Sequence, residues 1–376
     1  MEPKTTLTEI ARIFGKLGII GFGGPAAHIA MMRDEVVVNR KWMSEQDFLD
    51  SLGATNLIPG PNSTEMAIHI GYARGGWKGL ITAGLCFILP AVLITGLVAY
   101  LYNRFGQLPE VLPFIYGIKP AVIAIILGAI YPLAKNAVKS STLGFIGIAV
   151  LLAAFFGINE IYLMFGAGLF AYGRHSVQNR KNNSVQSFAP IVFLQTTQIA
   201  WGLSSNIKLF WTFLKIGSIL YGSGYVLFAF LDTELVERGL FTRQQLMDAV
   251  AVGQITPGPV FSSVTFIGYQ INGTSGAVVS TIAIFLPSFV FVALLKPLMK
   301  KLRSSEGFSA FLDAVNVASV ALIISVCYEM GKDTMTDWRT TLIALMSIAI
   351  TFGYRRLNSA FIVLAGSLLG YILFQI

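Results

Sequence analysis

The chain has 376 residues, 55% of them hydrophobic and only 12% charged, with a formal net charge of +8. A mean hydropathy of +0.69 excludes an ordinary soluble domain, because apolar runs of about 18 residues or more recur and a bilayer core asks roughly 20 for each spanning helix. The positive charge sits in short Lys and Arg clusters between those runs, where topology signals belong, so it points to membrane orientation and not to a nucleic-acid partner.

In chain order the candidate spans are residues 10–32, 79–102, 113–134, 143–171 (broken near Gly157), 207–231, 276–295, 310–330, 340–352 and 359–374. The runs are continuous, not alternating, and in lipid only helices or a closed barrel satisfy the backbone. The expected fold is therefore an all-α polytopic membrane protein in the lipid bilayer of the cell membrane. No short apolar core followed by a small-residue cleavage site opens the chain, so no removable signal is expected. Cys86 and Cys327 fall inside apolar runs and read as inert thiols. No HExxH, CxxC, nucleophile elbow or phosphate loop occurs, so neither a metal, a cofactor nor an enzyme is expected.

The chain repeats itself. Phe14, Lys16, Gly18 and Gly23 match Phe213, Lys215, Gly217 and Gly222, and Glu35 matches Glu234, all at an offset of 199. Asp50 and Pro59-Gly60-Pro61 match Asp248 and Pro257-Gly258-Pro259 at 198. Gly71, Gly79, Pro90, Phe114 and Tyr131 match Gly268, Gly276, Pro287, Phe311 and Tyr328 at 197. The reading is a first repeat over 1–173, a polar or amphipathic linker over 174–206 and a second repeat over 207–376.

Equivalent loops carry opposite labels. Arg104 and Glu110 in the first repeat stand where the second has Lys296, Lys300, Lys301 and Arg303. Lys135 and Lys139 stand against Lys332 and Arg339, which Asp333 and Asp337 balance, and Glu160 stands against Arg355 and Arg356. Basic loops face the cytoplasm, so the out-of-phase pattern predicts inverted repeats, an arrangement typical of secondary transporters. Each repeat is expected to hold about five spans plus a helix pair broken at Pro-Gly-Pro that dips in and returns; the alternative is thirteen spans in all.

The two breaks carry the candidate site. Proline stops one half-helix and suits the first turn of the next. A new helix N-terminus offers N–H groups and the positive end of a dipole to an anion. Pro59, Gly60 and Pro61 are followed by the donors Asn62, Ser63 and Thr64; Pro257, Gly258 and Pro259 are followed by Ser262 and Ser263. The bland alternative is a pair of kinks that serve packing. Lys16 and Lys215 either point inward and add positive charge or snorkel to the interface. Gly23 and Gly24, with Gly222 and Gly224, either expose backbone in the site or let helices approach. Glu65, His28, Glu35 and Glu234 are candidates for coupling or gating, against structural roles as caps and hydrogen-bonded side chains.

Taken together, F-G-G-P at 22–25, P-G-P-N at 59–62 and T-P-G-P at 256–259 resemble the chromate ion transporter family in its long two-domain form. The resemblance covers essentially the whole chain. It implies a plasma-membrane transporter moving chromate outward in resistance members, and sulfate in some. It also implies two halves duplicated in opposite orientation. Val260 replaces Asn62 in the second copy, so the two termini are not chemically equal. The competing readings are uptake or exchange of sulfate or another oxyanion, and an intramembrane enzyme acting on lipid phosphates. A homodimer is compatible with the sequence.

Overall fold

A computed structural model describes residues 5–22, 24–179, 205–222, 224–303, 305–354 and 357–375, without the side chains of 179 and 296–303. Among the described residues every element is helical. The first repeat runs α1 (Leu7–Ile20), α2 (Gly24–Arg33) with a π-helical extension (Asp34–Asn39), α3 (Glu45–Thr55), α4 (Asn62–Phe105), α5 (Leu112–Ala137), α6 (Ser141–Phe155) and α7 (Glu160–Asn179). The second runs α8 (Ser205–Ile219), α9 (Val226–Leu231) with its π extension (Asp232–Val236), α10 (Arg243–Ile255), a 3-10 turn (Val260–Ser262), α11 (Ser263–Arg303), α12 (Glu306–Thr334), α13 (Trp338–Gly353) and α14 (Ser359–Phe374). The order matches element for element. α7 continues to Asn179, and residues 180–204 of the expected linker lie outside the described residues.

Residues 10–32 and 207–231 are not the simple spans their composition suggests. α1 has 14 residues, about 21 Å at 1.5 Å per residue, short of a hydrocarbon core of about 30 Å. The chain then breaks at Gly21 and turns back. Arg40, past the end of the π extension, bonds Glu9 in the first turn of α1 at 2.5 Å. Continuous apolar composition hid the reversal, because glycine breaks a helix without adding a polar residue.

α3 and the start of α4 form a second hairpin. Ser44 caps α3 through a capping box and Pro61 precedes α4. Arg74 donates to the Trp42 carbonyl at 3.0 Å and to the Thr5 hydroxyl at 2.9 Å. The starts of α1 and α3 and the close of the first arm of α4 therefore meet at one end of the bundle. At Gly76 (φ 57°) α4 reverses into a second, long arm. A Cβ on Gly71 would lie 2.4 Å from the Gly79 carbonyl, whereas eight residues in a continuous helix are about 12 Å apart. α11 does the same at Gly273 (φ 59°), where a Cβ on Gly268 would lie 2.4 Å from the Gly276 carbonyl.

The second repeat opens at the other end. Asn206 at the start of α8 bonds Ser275 at 3.1 Å and Asn272 at 2.7 Å, beside the α11 turn. The far part of the long arm of α4 reaches this end, where Gln270 donates to the Ala99 carbonyl at 3.3 Å. α7 finishes at the first end, its His175 lying 3.6 Å from Glu306 at the start of α12.

Among the described residues four helices are long and apolar enough to cross a membrane: Asn62–Phe105, Leu112–Ala137, Val260–Leu295 and Glu306–Thr334. Three shorter apolar helices, Ser141–Phe155, Trp338–Gly353 and Ser359–Phe374, accompany them. The repeats interlock: α5 packs on α13 and α14 of the other repeat, and α12 packs on α6 and α7.

The two hairpin sets sit in unlike surroundings. Those of the first repeat make a core of their own, with Phe14, Met32, Phe48, Met66 and Phe87. Those of the second merge into the large core with α5, α6, α7 and α12. All six residues of α9 are buried, but in its counterpart α2 only His28 and Met32 are.

Close helix approach here depends on missing side chains. A Cβ on Gly18 would lie 2.6 Å from the Phe87 carbonyl, and one on Gly217 would lie 2.4 Å from that of Ile284. Gly18→Val and Gly217→Val should each destabilise the protein by about 1–3 kcal/mol through overpacking. Gly15→Ala, which meets nothing within 4 Å, should not. Thermal unfolding in detergent separates the outcomes.

Candidate functional site

The four hairpin tips converge halfway along the long arms. Gly60 and Gly258 hold φ values of 136° and 89°, left-handed backbone that favours glycine. The Gly60 N–H donates to the Leu220 carbonyl at 2.8 Å, and the Gly258 N–H donates to the Gly21 carbonyl at 2.7 Å. Gly60 and Gly258 are repeat equivalents, as are Gly21 and Leu220. Each repeat thus ties its Pro-Gly-Pro to the first tip of the other. Depth is set by the contacts behind the tips. A Cβ on Gly258 would meet Ala91 at 2.9 Å and one on Gly60 would meet Ser288 Oγ at 2.8 Å, and both partners lie near the middle of their arms.

Polar groups gather around this crossing. Asn62 donates to the Asn56 side chain at 2.7 Å. His28 Nε2 donates to the Gly21 carbonyl at 2.8 Å, and its Nδ1 faces the Ser63 hydroxyl at 3.3 Å, so the tautomer with Nε2 protonated fits both contacts. Thr64 and Glu65 are fully buried, and Thr64 Oγ1 has no hydrogen-bond partner. In the second repeat Thr95, from the long arm of α4, donates to Ser262 at 3.3 Å and to Thr256 at 3.5 Å. The buried Ser263 hydroxyl has no partner. Gly24 (φ 77°) opens α2 with its Cβ position 4.0 Å from the Tyr225 hydroxyl. Gly222 (φ 96°) lies beside Asn316 and Ser319, and Gly224 lies 3.7 Å from Val260. Gly23 is outside the described residues.

This geometry changes how the Pro-Gly-Pro pair can serve an anion. Both motif glycines already donate to carbonyls, and the Thr64 and Glu65 N–H groups donate to the Pro61 carbonyl at 2.8 and 3.2 Å, so the donors left are the Asn62 and Ser63 N–H groups at the start of α4 and the hydroxyl and amide side chains. The second copy starts with a 3-10 turn over Val260–Ser262, so its donors are arranged differently.

The lysines and glutamates expected separately come together at the hairpin mouths. Lys16 lies 3.9 Å from Glu35, and Lys215 lies 2.6 Å from Glu234. Lys16 is exposed and Glu234 is buried. Neither lysine reaches the tips as an uncompensated charge. The hydrogen bond from Arg40, at 2.8 Å, holds the Glu35 carboxyl below the usual carboxylate range.

A further pair escaped sequence reasoning. Arg33 binds Glu45 at 2.7 Å in the first repeat, and Arg243 binds Asp232 at 2.9 Å in the second. The positions are equivalent, and the signs are exchanged. Arg243 also reaches Asp333 on α12 at 3.1 Å, fastening the second hairpin set to the bundle. Buried inside the same set, Asp248 accepts from Tyr102 at 2.7 Å and lies 3.4 Å from Lys119. Tyr102 and Asp248 border a cavity of about 260 Å³ lined mainly by apolar side chains. Reading the repeat offsets for exchanged signs would have exposed the Arg33–Glu45 and Asp232–Arg243 pairs.

The profile of the family described as Chromate transporter matches residues 8–172 and again 207–371. The chain belongs to the chromate transporter family. It is 32% identical to the chromate transport protein of Cupriavidus metallidurans, over 100% of this chain and 95% of that one. It is 32% identical to a probable chromate transport protein of Synechococcus elongatus (93% and 90% covered), and 27% identical to the chromate transport protein of Pseudomonas aeruginosa (100% and 94%). No solved structure matched the chain. Family membership and the long apolar helices make this transporter a multi-pass integral membrane protein and not an enzyme.

Gly60→Ala would strain a positive φ and set its methyl carbon 2.1 Å from Glu65 Oε1. Strain of about 1–3 kcal/mol at such a position is expected to cut transport by about five- to 150-fold, tenfold being equivalent to 1.4 kcal/mol. Flux normalised to membrane abundance checks this, with Gly15→Ala as control.

Proposed function

We propose that this transporter exports chromate by alternating access, with the anion held among the four tips. The observation that carries the reading is the inequality of two equivalent hairpin sets that share one central crossing. The second set is fastened to α5 and α12, and the first stands away from them. Exchanging these arrangements between the repeats would open the crossing to the other end, as inverted repeats do around a fixed site.

Charge orients the molecule. Five bases, Arg33, Arg40, Lys41, Arg74 and Lys78, gather among Glu9, Glu35 and Glu45 where the first repeat opens, whereas at the second opening Arg238, Arg243 and Lys332 are paired with Asp232, Glu234, Glu329 and Asp333. By the positive-inside tendency the first end is cytoplasmic. The repeats are then inverted, their hairpins re-entrant, and the conformation inward-facing. Re-entrant backbone at membrane depth is tolerated where protein surrounds it.

The substrate follows from donors and relatives. Chromate is a tetrahedral dianion, suited to hydroxyl, amide and first-turn N–H groups without a metal, and full-length relatives are named for its transport. Export from a cell negative inside is downhill by roughly 2.3 kcal/mol per charge per 100 mV. Labelled chromate should accumulate saturably in everted vesicles and be displaced by sulfate, which has the same shape and charge. Flux that neither saturates nor responds to sulfate would sink the oxyanion reading.

The alternation has its own test. Arg243 and Asp333 correspond to Glu45 and Asn136. With Cys86 and Cys327 replaced, Arg243→Cys with Asp333→Cys should cross-link in the inward-facing state, and Glu45→Cys with Asn136→Cys in the outward-facing one. Each cross-link should stop flux until reduced. Failure of the second pair to cross-link during turnover would refute the exchange.

A further inference from the structure

Glu65 is fully buried in the first turn of α4, halfway through the bundle. Among the described residues it makes no ion pair. The space beside its carboxyl is bounded by Gly60, where a Cβ would lie 2.1 Å from Oε1, and by the Ser288 hydroxyl from α11. The Tyr221 phenol, in the tip after α8, lies within electrostatic reach of that carboxyl. His28 from α2 faces the Ser63 hydroxyl at 3.3 Å, two residues before Glu65, and the half-buried His69, whose Nδ1 has no partner, lies one turn along α4. None of these supplies a fixed cation. An isolated carboxylate in such a place is strongly disfavoured, and a group there protonates instead.

The second repeat lacks this site. Ser263 stands at the position of Glu65 and Ala91 at that of Ser288. The carboxyl is therefore single, whereas hydroxyl donors occur in both halves.

We propose that Glu65, backed by Ser288, is a proton-binding site whose occupancy is coupled to the anion at the tips. The proposal rests on the transport reading above. An oxyanion at the first turn of α4 and an ionised Glu65 repel each other within the same helix start, so the anion binds when Glu65 carries its proton. Loading the dianion draws a proton from water to the carboxyl, and release returns it, so the two move together. The net charge carried is then minus one, and export stays electrically downhill.

The test uses purified full-length protein in liposomes, with labelled chromate and a pH-sensitive dye in the lumen, above pH 7.5 to keep chromate a dianion. Wild type should move protons with chromate, and its chromate exchange at equal pH on both sides should fall towards tenfold per pH unit in the alkaline range. Glu65→Gln should move no protons and exchange without pH dependence. Ser288→Ala should shift the pH midpoint of exchange while keeping proton movement. Wild-type exchange without proton movement, or Glu65→Gln with wild-type pH dependence, overturns the proposal. Flux that follows a sodium gradient instead also overturns it. No wild-type exchange under any condition overturns the transport reading, and this proposal with it.

Discussion

The structure depends on how broken helices satisfy their backbone in a bilayer. A break at membrane depth strands N–H and C=O groups that water cannot reach, each costing several kcal/mol. Here the remedy is mutual. Gly60 N–H finds the Leu220 carbonyl, and Gly258 N–H finds that of Gly21. Neither repeat completes its own break. Each break is thus completed by the other copy of the unit, which sets the four tips against one another.

From that crossing outward the two halves diverge. Gly18 and Gly217 bring α1 and α8 against the long arms in the same way, so the first hairpins are held alike. The differences lie at the mouths. Arg33–Glu45 and Asp232–Arg243 keep one contact with the charges exchanged. The additional reach of Arg243 to Asp333 closes one mouth. On the first repeat Asn136, the counterpart of Asp333, carries no charge, so the two closures are built from unequal interactions.

Much of this was legible in the sequence, and the misses have physical causes. The steady offset exposed the duplication, and Pro-Gly-Pro exposed the second hairpin, because proline leaves a visible gap in a helical run. The first hairpin was hidden, since Gly21 to Gly24 interrupt an apolar stretch without changing its hydropathy. Missing that turn also separated Lys16 from Glu35 and Lys215 from Glu234, although both pairs share a spacing of 19 residues. The grouping of Glu65 with Ser288, and of Thr95 with Ser262, spans the two repeats, and periodicity within either one carries no trace of it.

Symmetry and asymmetry then divide the labour at the crossing. The exchanged backbone bonds are the same in both halves, so they can persist while the hairpin mouths change partners. Side chains break the symmetry: His28, Asn62 and Glu65 stand where the second repeat has Leu227, Val260 and Ser263. The shared backbone bonds give the crossing its two-fold symmetry, and polar side chains from one repeat break it. A duplicated carboxyl would place two like charges beside one anion, whereas a single one leaves a proton able to decide whether the anion binds.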